Sequence, residues 1–232
     1  LAKEKMNTQA DSSFKRVDEL FADVITSLTV DDDDTDYEYQ RVEKEKQAHY
    51  ESCGIGSKYW NKRLDDFDAY NDELKANLTT VKEFIGDVQK GMRRTLWMCG
   101  TNGNGKTMLG GCIARELYGH YAESSIIEDE IEQTKNFRAD ETLIGLRKRY
   151  AKYPVLVIDE VARFPSDNEK KYIFKILNDR YNADKSTVII TNLDKHELRN
   201  YLGRALTDRF VETCTSMMFT SQSYRENERN VL

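Results

Sequence analysis

Eight residues, "GTNGNGKT" from Gly100 to Thr107, carry the types and spacing needed to hold a phosphate. They spell G-x-x-x-x-G-K-T, with a third glycine, Gly103, between Gly100 and Gly105. A glycine-rich turn between a strand and a helix lets successive backbone N–H groups point inward, and the helix N-terminus adds partial positive charge. The backbone from Asn102 through Asn104 to Thr107 is expected to bind the phosphates. Lys106 would reach the β- and γ-phosphates, and the Thr107 hydroxyl would ligate Mg²⁺. Met108 completes the expected nucleotide-contacting set. A second element, "VLVIDE", ends four apolar residues in two carboxylates, Asp159 and Glu160. At the carboxyl end of a strand in an open α/β sheet, where ligands bind, Asp159 can hold the metal and Glu160 can polarise a water. Asn192, at the end of "VIITN", can align that water between Glu160 and the γ-phosphate. ATP or ADP with Mg²⁺ are therefore the expected cofactors.

These residues need strands to end beside one another and helices to back them. "TLWMC" (95–99) reads as a buried strand leading into the glycine loop, and "KTMLGGCIARELYG" as the helix that follows. "SSIIE" reads as a weaker strand, "DETLIGLRKRYAK" as a helix, "PVLVIDE" as the strongest strand and "NEKKYIFKILNDRYNAD" as an amphipathic helix. "STVIITN" is another strand, "KHELRNYLGRALTDRF" one helix, and "SMMFT" a last strand. Strands separated by helices in this way predict an α/β fold with a central parallel sheet covered on both faces. Upstream, "DELKANLTTVKEFIGDVQKG" is expected to be a helix with Gly91 as its C-terminal stop signal.

The first 50 residues differ in character. Phe14, Val17, Leu20, Phe21, Val24, Ile25 and Leu28 recur at three- and four-residue steps, the mark of an amphipathic helix. "DDDDTDYEY" (31–39) follows, and four adjacent acids read as a solvated linker. Residues 1–50 are thus expected to be a helical arm that binds a partner, and 51–232 the catalytic core. The chain has 232 residues, a net charge of −6 and 33% charged residues, so the overall balance does not draw it to nucleic acid. Any such contact would rest on small clusters such as Arg147, Lys148, Arg149 and Lys152. Cys53, Cys99, Cys112 and Cys214 are widely spaced and read as reduced thiols, and no apolar run is long enough for a membrane span. With no signal-like segment, a cytoplasmic protein is expected.

The ordered series "GTNGNGKT", "VLVIDE", "LNDRYNADKSTVIITNLDKHEL", "LTDRF" and "SYR" resembles the AAA+ ATPases of the DnaC type, which load replicative helicases, with the IstB-type transposition ATPases close behind. The likeness runs from about Ser52 to Arg225, and "CGIGSKYWNKRLDDF" resembles the segment that covers the adenine in that family. The resemblance implies a P-loop AAA+ core that hydrolyses ATP, and a DnaB-type helicase held by the N-terminal arm and delivered to single-stranded DNA. It implies that Asn192 is the first sensor and that Arg209 is an arginine finger acting in a neighbouring subunit of the same chain, with Arg204 as the alternative. Arg225 becomes the second sensor and a nucleotide contact. Seven residues follow Arg225, so no large C-terminal lid domain is expected. Two other readings share these motifs: a transposition helper ATPase, and a nucleotide-gated adaptor that scarcely hydrolyses ATP.

Overall fold

The computed structural model describes residues 32–134 and 139–224. The amphipathic stretch from Phe14 to Leu28 and Arg225 lie outside the described residues. Five strands, β1 (Thr95–Gly100), β2 (His120–Glu123), β3 (Val155–Val161), β4 (Ser186–Thr191) and β5 (Cys214–Phe219), form one sheet in the order β2-β3-β4-β1-β5. Every neighbouring pair is parallel. Parallel strands need crossover connections, and here these place helices on both faces. The helices are α1 (Asp32–Ser52), α2 (Asp72–Gln89), α3 (Lys106–Glu116), α4 (Ser124–Thr134), α5 (Ala139–Lys152), α6 (Asp167–Asn182), α7 (Lys195–Leu202) and α8 (Arg204–Phe210).

Alternation along each strand divides the core in two. Leu96, Met98, Val157, Val188 and Ile190 pack with Leu74, Val81 and Phe84 of α2 and Leu109 and Ile113 of α3. Trp97, Leu156, Ile158 and Ile189 turn the other way, onto Ile127 and Ile131 of α4, Ile173 and Ile176 of α6, and Leu198 and Phe210 of α7 and α8. Because both faces are buried, these strands read as unbroken apolar runs rather than alternating ones. Full burial of each such side chain contributes about 1.5–3 kcal/mol.

Capping fixes where the helices begin. Asn71 Oδ1 accepts the Leu74 N–H at 2.8 Å, and Ser166 Oγ accepts the Glu169 N–H at 2.9 Å. Asp194 and Glu197 form a reciprocal capping box at α7. The fully buried Arg180 ties α6 to the sheet. Its guanidinium donates to the carbonyls of Tyr150 (2.6 Å), Tyr153 (3.0 Å), Pro154 (3.4 Å) and Ser186, and to Thr187 Oγ1 (2.9 Å).

Three expectations are corrected. Residues 32–39 are not a linker but the first turns of α1, whose later residues Val42 and Tyr50 are buried. "SSIIE" is helical: Ile127 and Ile131 are buried one turn apart in α4, while Ile126 is 50% exposed, and the strand is the preceding "HYAE". "KHELRNYLGRALTDRF" is two helices, broken at Gly203, whose φ of 80° and ψ of 159° no helix accommodates.

Candidate nucleotide-binding site

The glycine loop joins the end of β1 to α3, and Gly105 is the N-cap at φ 82° and ψ 4°. A Cβ there would adopt a disfavoured backbone geometry and fall 2.5 Å from the Phe67 ring, so glycine is required twice over. Lys106 is the first residue of α3 and only 6% exposed. Its ammonium donates to the carbonyls of Gly100, at 2.8 Å, and Thr101. Burial draws its pKa down to about 8, with the negative charge of Asp159 and the Cys99 thiol acting in the opposite direction.

One helical position further on, the Thr107 hydroxyl donates to Asp159 Oδ2 at 2.8 Å. That contact joins the loop after β1 to the end of β3, two strands away across β4. Asp159 is 3% exposed. Its Oδ1 accepts the Glu160 N–H at 2.7 Å, and its Oδ2 also accepts the Tyr121 hydroxyl. Glu160 stands at φ 58°, left-handed for a non-glycine residue, where the β3–β4 register shifts between Ile158 and Val161. The irregularity re-aims the side chain at the strand end. There the carboxylate is partly exposed and paired with Arg163.

Asn192 follows β4 directly and is exposed. Since β4 lies between β1 and β3, the topology sets Asn192 between the strand ends that carry the glycine loop and the acid pair. Thus Gly100, Gly103, Gly105, Lys106, Thr107, Asp159, Glu160 and Asn192 lie together at the carboxyl ends of the three central strands. A cleft of about 180 Å³ opens there, lined by Tyr59, Gly103, Gly105, Lys106, Thr107, Met108 and Tyr224. Asn102 is exposed on the loop. Asn104 is buried and its amide braces the loop from behind, donating to Thr101 Oγ1 (3.1 Å) and the Ser221 carbonyl (2.7 Å).

Arg209 stands apart from this cleft. It is exposed at the end of α8, donates to Asn178 Oδ1 of α6 and lies 5.7 Å from the Tyr181 ring centre. Arg204, at the start of α8, pairs with Asp208 at 3.4 Å. The basic cluster on α5 is partly neutralised: Arg147 grips Asp179 with two 2.7 Å bonds, and Arg149 pairs with Glu130. None of the four cysteines forms a disulfide, and no helix among the described residues is long and apolar enough to cross a membrane.

Three features escaped the sequence reading. Glu123, paired in register with Asp159, adds a third carboxyl at the strand ends. Burial raises its pKa, as do the nearby charges of Glu160 and Asp159. Tyr121 was indistinguishable from a core aromatic. The third is a strap, residues 220–224, that runs over the glycine loop. The Tyr224 N–H donates to the Gly103 carbonyl at 3.1 Å. Glu73 of α2 accepts from the Thr220 N–H (2.9 Å), the Ser221 N–H (3.1 Å), the Ser221 hydroxyl (2.7 Å) and the Thr220 hydroxyl. These partners lie about 150 residues apart, where periodicity carries no signal.

A glycine loop after a central strand of a five-stranded parallel sheet, facing an acid pair two strands away, defines an AAA+ nucleotide-binding core. The IstB-like ATP binding protein family model matches residues 36–231, and the chain belongs to that family. It is 26% identical over 195 residues to an ATP-binding protein of insertion sequence IS232 from Bacillus thuringiensis subsp. berliner, covering 81% of this chain and 77% of that one. It is 24% identical over 184 residues to the replicative helicase loader DnaC of Buchnera aphidicola subsp. Schizaphis graminum, covering 76% and 74%. The crystal structure of the DnaC helicase loader superposes with a TM-score of 0.61 at 24% identity, over 71% of this chain and 100% of that one. The protein is an ATP-binding AAA+ protein related to DnaC loaders.

Proposed function

We propose that this protein is a magnesium-dependent ATPase that works in an assembly to place a DnaB-type replicative helicase on single-stranded DNA. The observation that carries the catalytic part is the 2.8 Å contact between Thr107 Oγ1 and Asp159 Oδ2, with Glu160 adjacent and Lys106 one residue before. These two side chains fit Mg²⁺, being hard oxygen donors side by side. Bound there, Mg²⁺ would neutralise charge on the β- and γ-oxygens. The glycine-loop backbone from Asn102 to Thr107 and Lys106 hold the phosphates, Glu160 and Asn192 orient the water, and Arg225 contacts the nucleotide. Arg209 completes a neighbour's site. Residues 1–50 capture the helicase. The likeness to DnaC proteins in sequence and fold supports the choice of partner.

A second reading, a transposition helper ATPase, has its own support in the family match and in the IS232 relative. Stimulation of turnover separates the two. A loader is stimulated by single-stranded DNA and is retained by the helicase in the presence of ATP, whereas a transposition helper prefers duplex DNA and responds to a transposase. The shared chemistry is tested first. Glu160→Gln keeps ATP binding and loses about 10²-fold or more in turnover, while Lys106→Ala loses affinity for the triphosphate. Wild-type turnover in Glu160→Gln would end the assignment of that residue, and absence of turnover in the wild-type protein with either set of partners would leave a nucleotide-gated adaptor.

A further inference from the structure

We propose that Tyr121 is a positioning residue for the metal-holding carboxylate: its hydroxyl locks Asp159 in the orientation that presents Thr107 to the Mg²⁺ of Mg²⁺·ATP. The inference rests on the reading of Thr107 and Asp159 as the ion's protein partners and adds to it a residue from another strand. Asp159 is held on both oxygens. Oδ1 takes the Glu160 N–H, and Oδ2 takes the hydroxyls of Thr107 and Tyr121. A threonine hydroxyl has one proton and two lone pairs. With its proton committed to Asp159, Thr107 keeps its lone pairs for a cation, and the bond that keeps Asp159 in place keeps Thr107 so oriented.

The placement of Tyr121 is itself specified. The residue is on β2, 8% exposed, and its backbone N–H donates to the Cys53 carbonyl at 2.7 Å, tying the strand to the chain just after α1. Its ring lies beneath α3 beside Gly110, where a Cβ would come 3.6 Å from the ring, 3.1 Å from Val157 and 2.5 Å from Ile190. A larger residue at 110 would push the helix or the ring. A tyrosine hydroxyl keeps its proton at neutral pH, and beside a carboxylate oxygen it is the donor of the pair. Packing alone would be met equally well by phenylalanine. The hydroxyl's contribution is its bond to the carboxylate, and removal of an outer-shell partner of this kind typically costs 10–100-fold in metal affinity or activity.

The test uses the full chain and a fluorescent ATP analogue, titrated in EDTA and then against Mg²⁺ and Mn²⁺. In EDTA, Tyr121→Phe binds the analogue as tightly as wild type, because the loop and Lys106 are untouched. With metal, the variant needs roughly tenfold more Mg²⁺ for half of the metal-dependent gain in affinity, and its melting temperature tracks wild type within a few degrees because the ring remains. A general loss of packing would weaken binding in EDTA and in Mg²⁺ alike, and so would overturn the proposal. Identical Mg²⁺ dependence in variant and wild type would overturn it too. If wild-type protein binds the analogue without any metal-dependent gain, the reading of Thr107 and Asp159 falls first and Tyr121 with it.

Discussion

Lys106 and Arg180 are both buried, 6% and 0% exposed, and among the described residues neither forms an ion pair with a carboxylate. Desolvation lowers both, Lys106 to about 8 and Arg180 to about 9. They differ in saturation. A guanidinium has five N–H donors, and Arg180 meets five acceptors, four of them backbone carbonyls around the start of β3 and β4. An ammonium has three donors, and Lys106 meets two carbonyls, both within the loop that starts its own helix, at the edge of the cleft. The saturated cation is a fastener. The unsaturated one has a donor to spare at the cleft, in keeping with the phosphate-binding role proposed for it, and burial makes that charge stronger toward an anion than it would be in water.

If this contrast holds, the larger stability effect of the two belongs to Arg180. Arg180→Met preserves the stem but leaves buried carbonyls at the β3 and β4 starts without their donor. Each buried unsatisfied group costs about 1–3 kcal/mol, partly relieved here by losing a buried charge, so a net loss of roughly 2–4 kcal/mol is expected. For a domain of this size that is a fall of roughly 5–15 °C in Tm. ATP affinity measured well below the transition stays within about twofold of wild type. A small shift in Tm, or a selective loss of ATP binding, would break the distinction between fastener and ligand.

The next effect is electrostatic. With its pKa lowered to about 8, Lys106 loses its charge as pH rises through that value, and a phosphate must then bind together with a proton. Affinity for ATP, measured without metal, is therefore constant below about pH 7 to 8 and falls above it, with a slope approaching tenfold per pH unit. Stability moves the opposite way. The unfolded chain, with an ordinary lysine near 10.4, holds more protons than the folded one between about pH 8 and 10.5, so this group makes folding more favourable as pH rises across that window. Isothermal titration at pH 7, 8 and 9 checks the first sign. In Lys106→Gln the pH dependence of the weak remaining affinity should disappear, and its persistence would assign the titration to another group.

The same contrast accounts for what was legible in the sequence. The turn from β1 into α3 and the strand β3 could be read because a glycine-rich turn is written in adjacent residues and because a sheet buried on both faces leaves an unbroken apolar run. "HYAE" could not be read as a strand: β2 is four residues long at the sheet edge, and only Tyr121 and Ala122 are buried. "SSIIE" misled because its two isoleucines are adjacent, whereas the helix uses Ile127 with Ile131. Arg180 resembles any surface arginine of an amphipathic helix until its long-range acceptors are known. Tyr121 and Glu73 are hidden for the same reason, since their partners come from other strands and from the far end of the chain.

The smallest effect sharpens the boundary between fastener and ligand at the strap. Glu73 accepts four hydrogen bonds from Thr220 and Ser221. Desolvation works against its charged form, but the hydroxyl and backbone N–H donors outweigh it and hold the carboxyl below its ordinary pKa. The strap in turn reaches the nucleotide cleft at Tyr224, whose N–H meets the Gly103 carbonyl and whose side chain lines the opening. Glu73→Gln keeps one carbonyl oxygen in place for three of the four donors and turns the other oxygen into an amide that the Thr220 hydroxyl can meet by rotating. The change therefore exchanges charge-assisted bonds for neutral ones, at about 1 kcal/mol. If the strap shapes the cleft, ATP affinity falls about two- to fivefold with a drop in Tm of only a few degrees. If it is a fastener like Arg180, Tm falls by the same amount and ATP affinity does not move. Parallel thermal melts and nucleotide titrations on the single variant distinguish these outcomes, because the two arrangements share every hydrogen bond at Glu73 and differ only in whether Tyr224 carries the strain to Gly103.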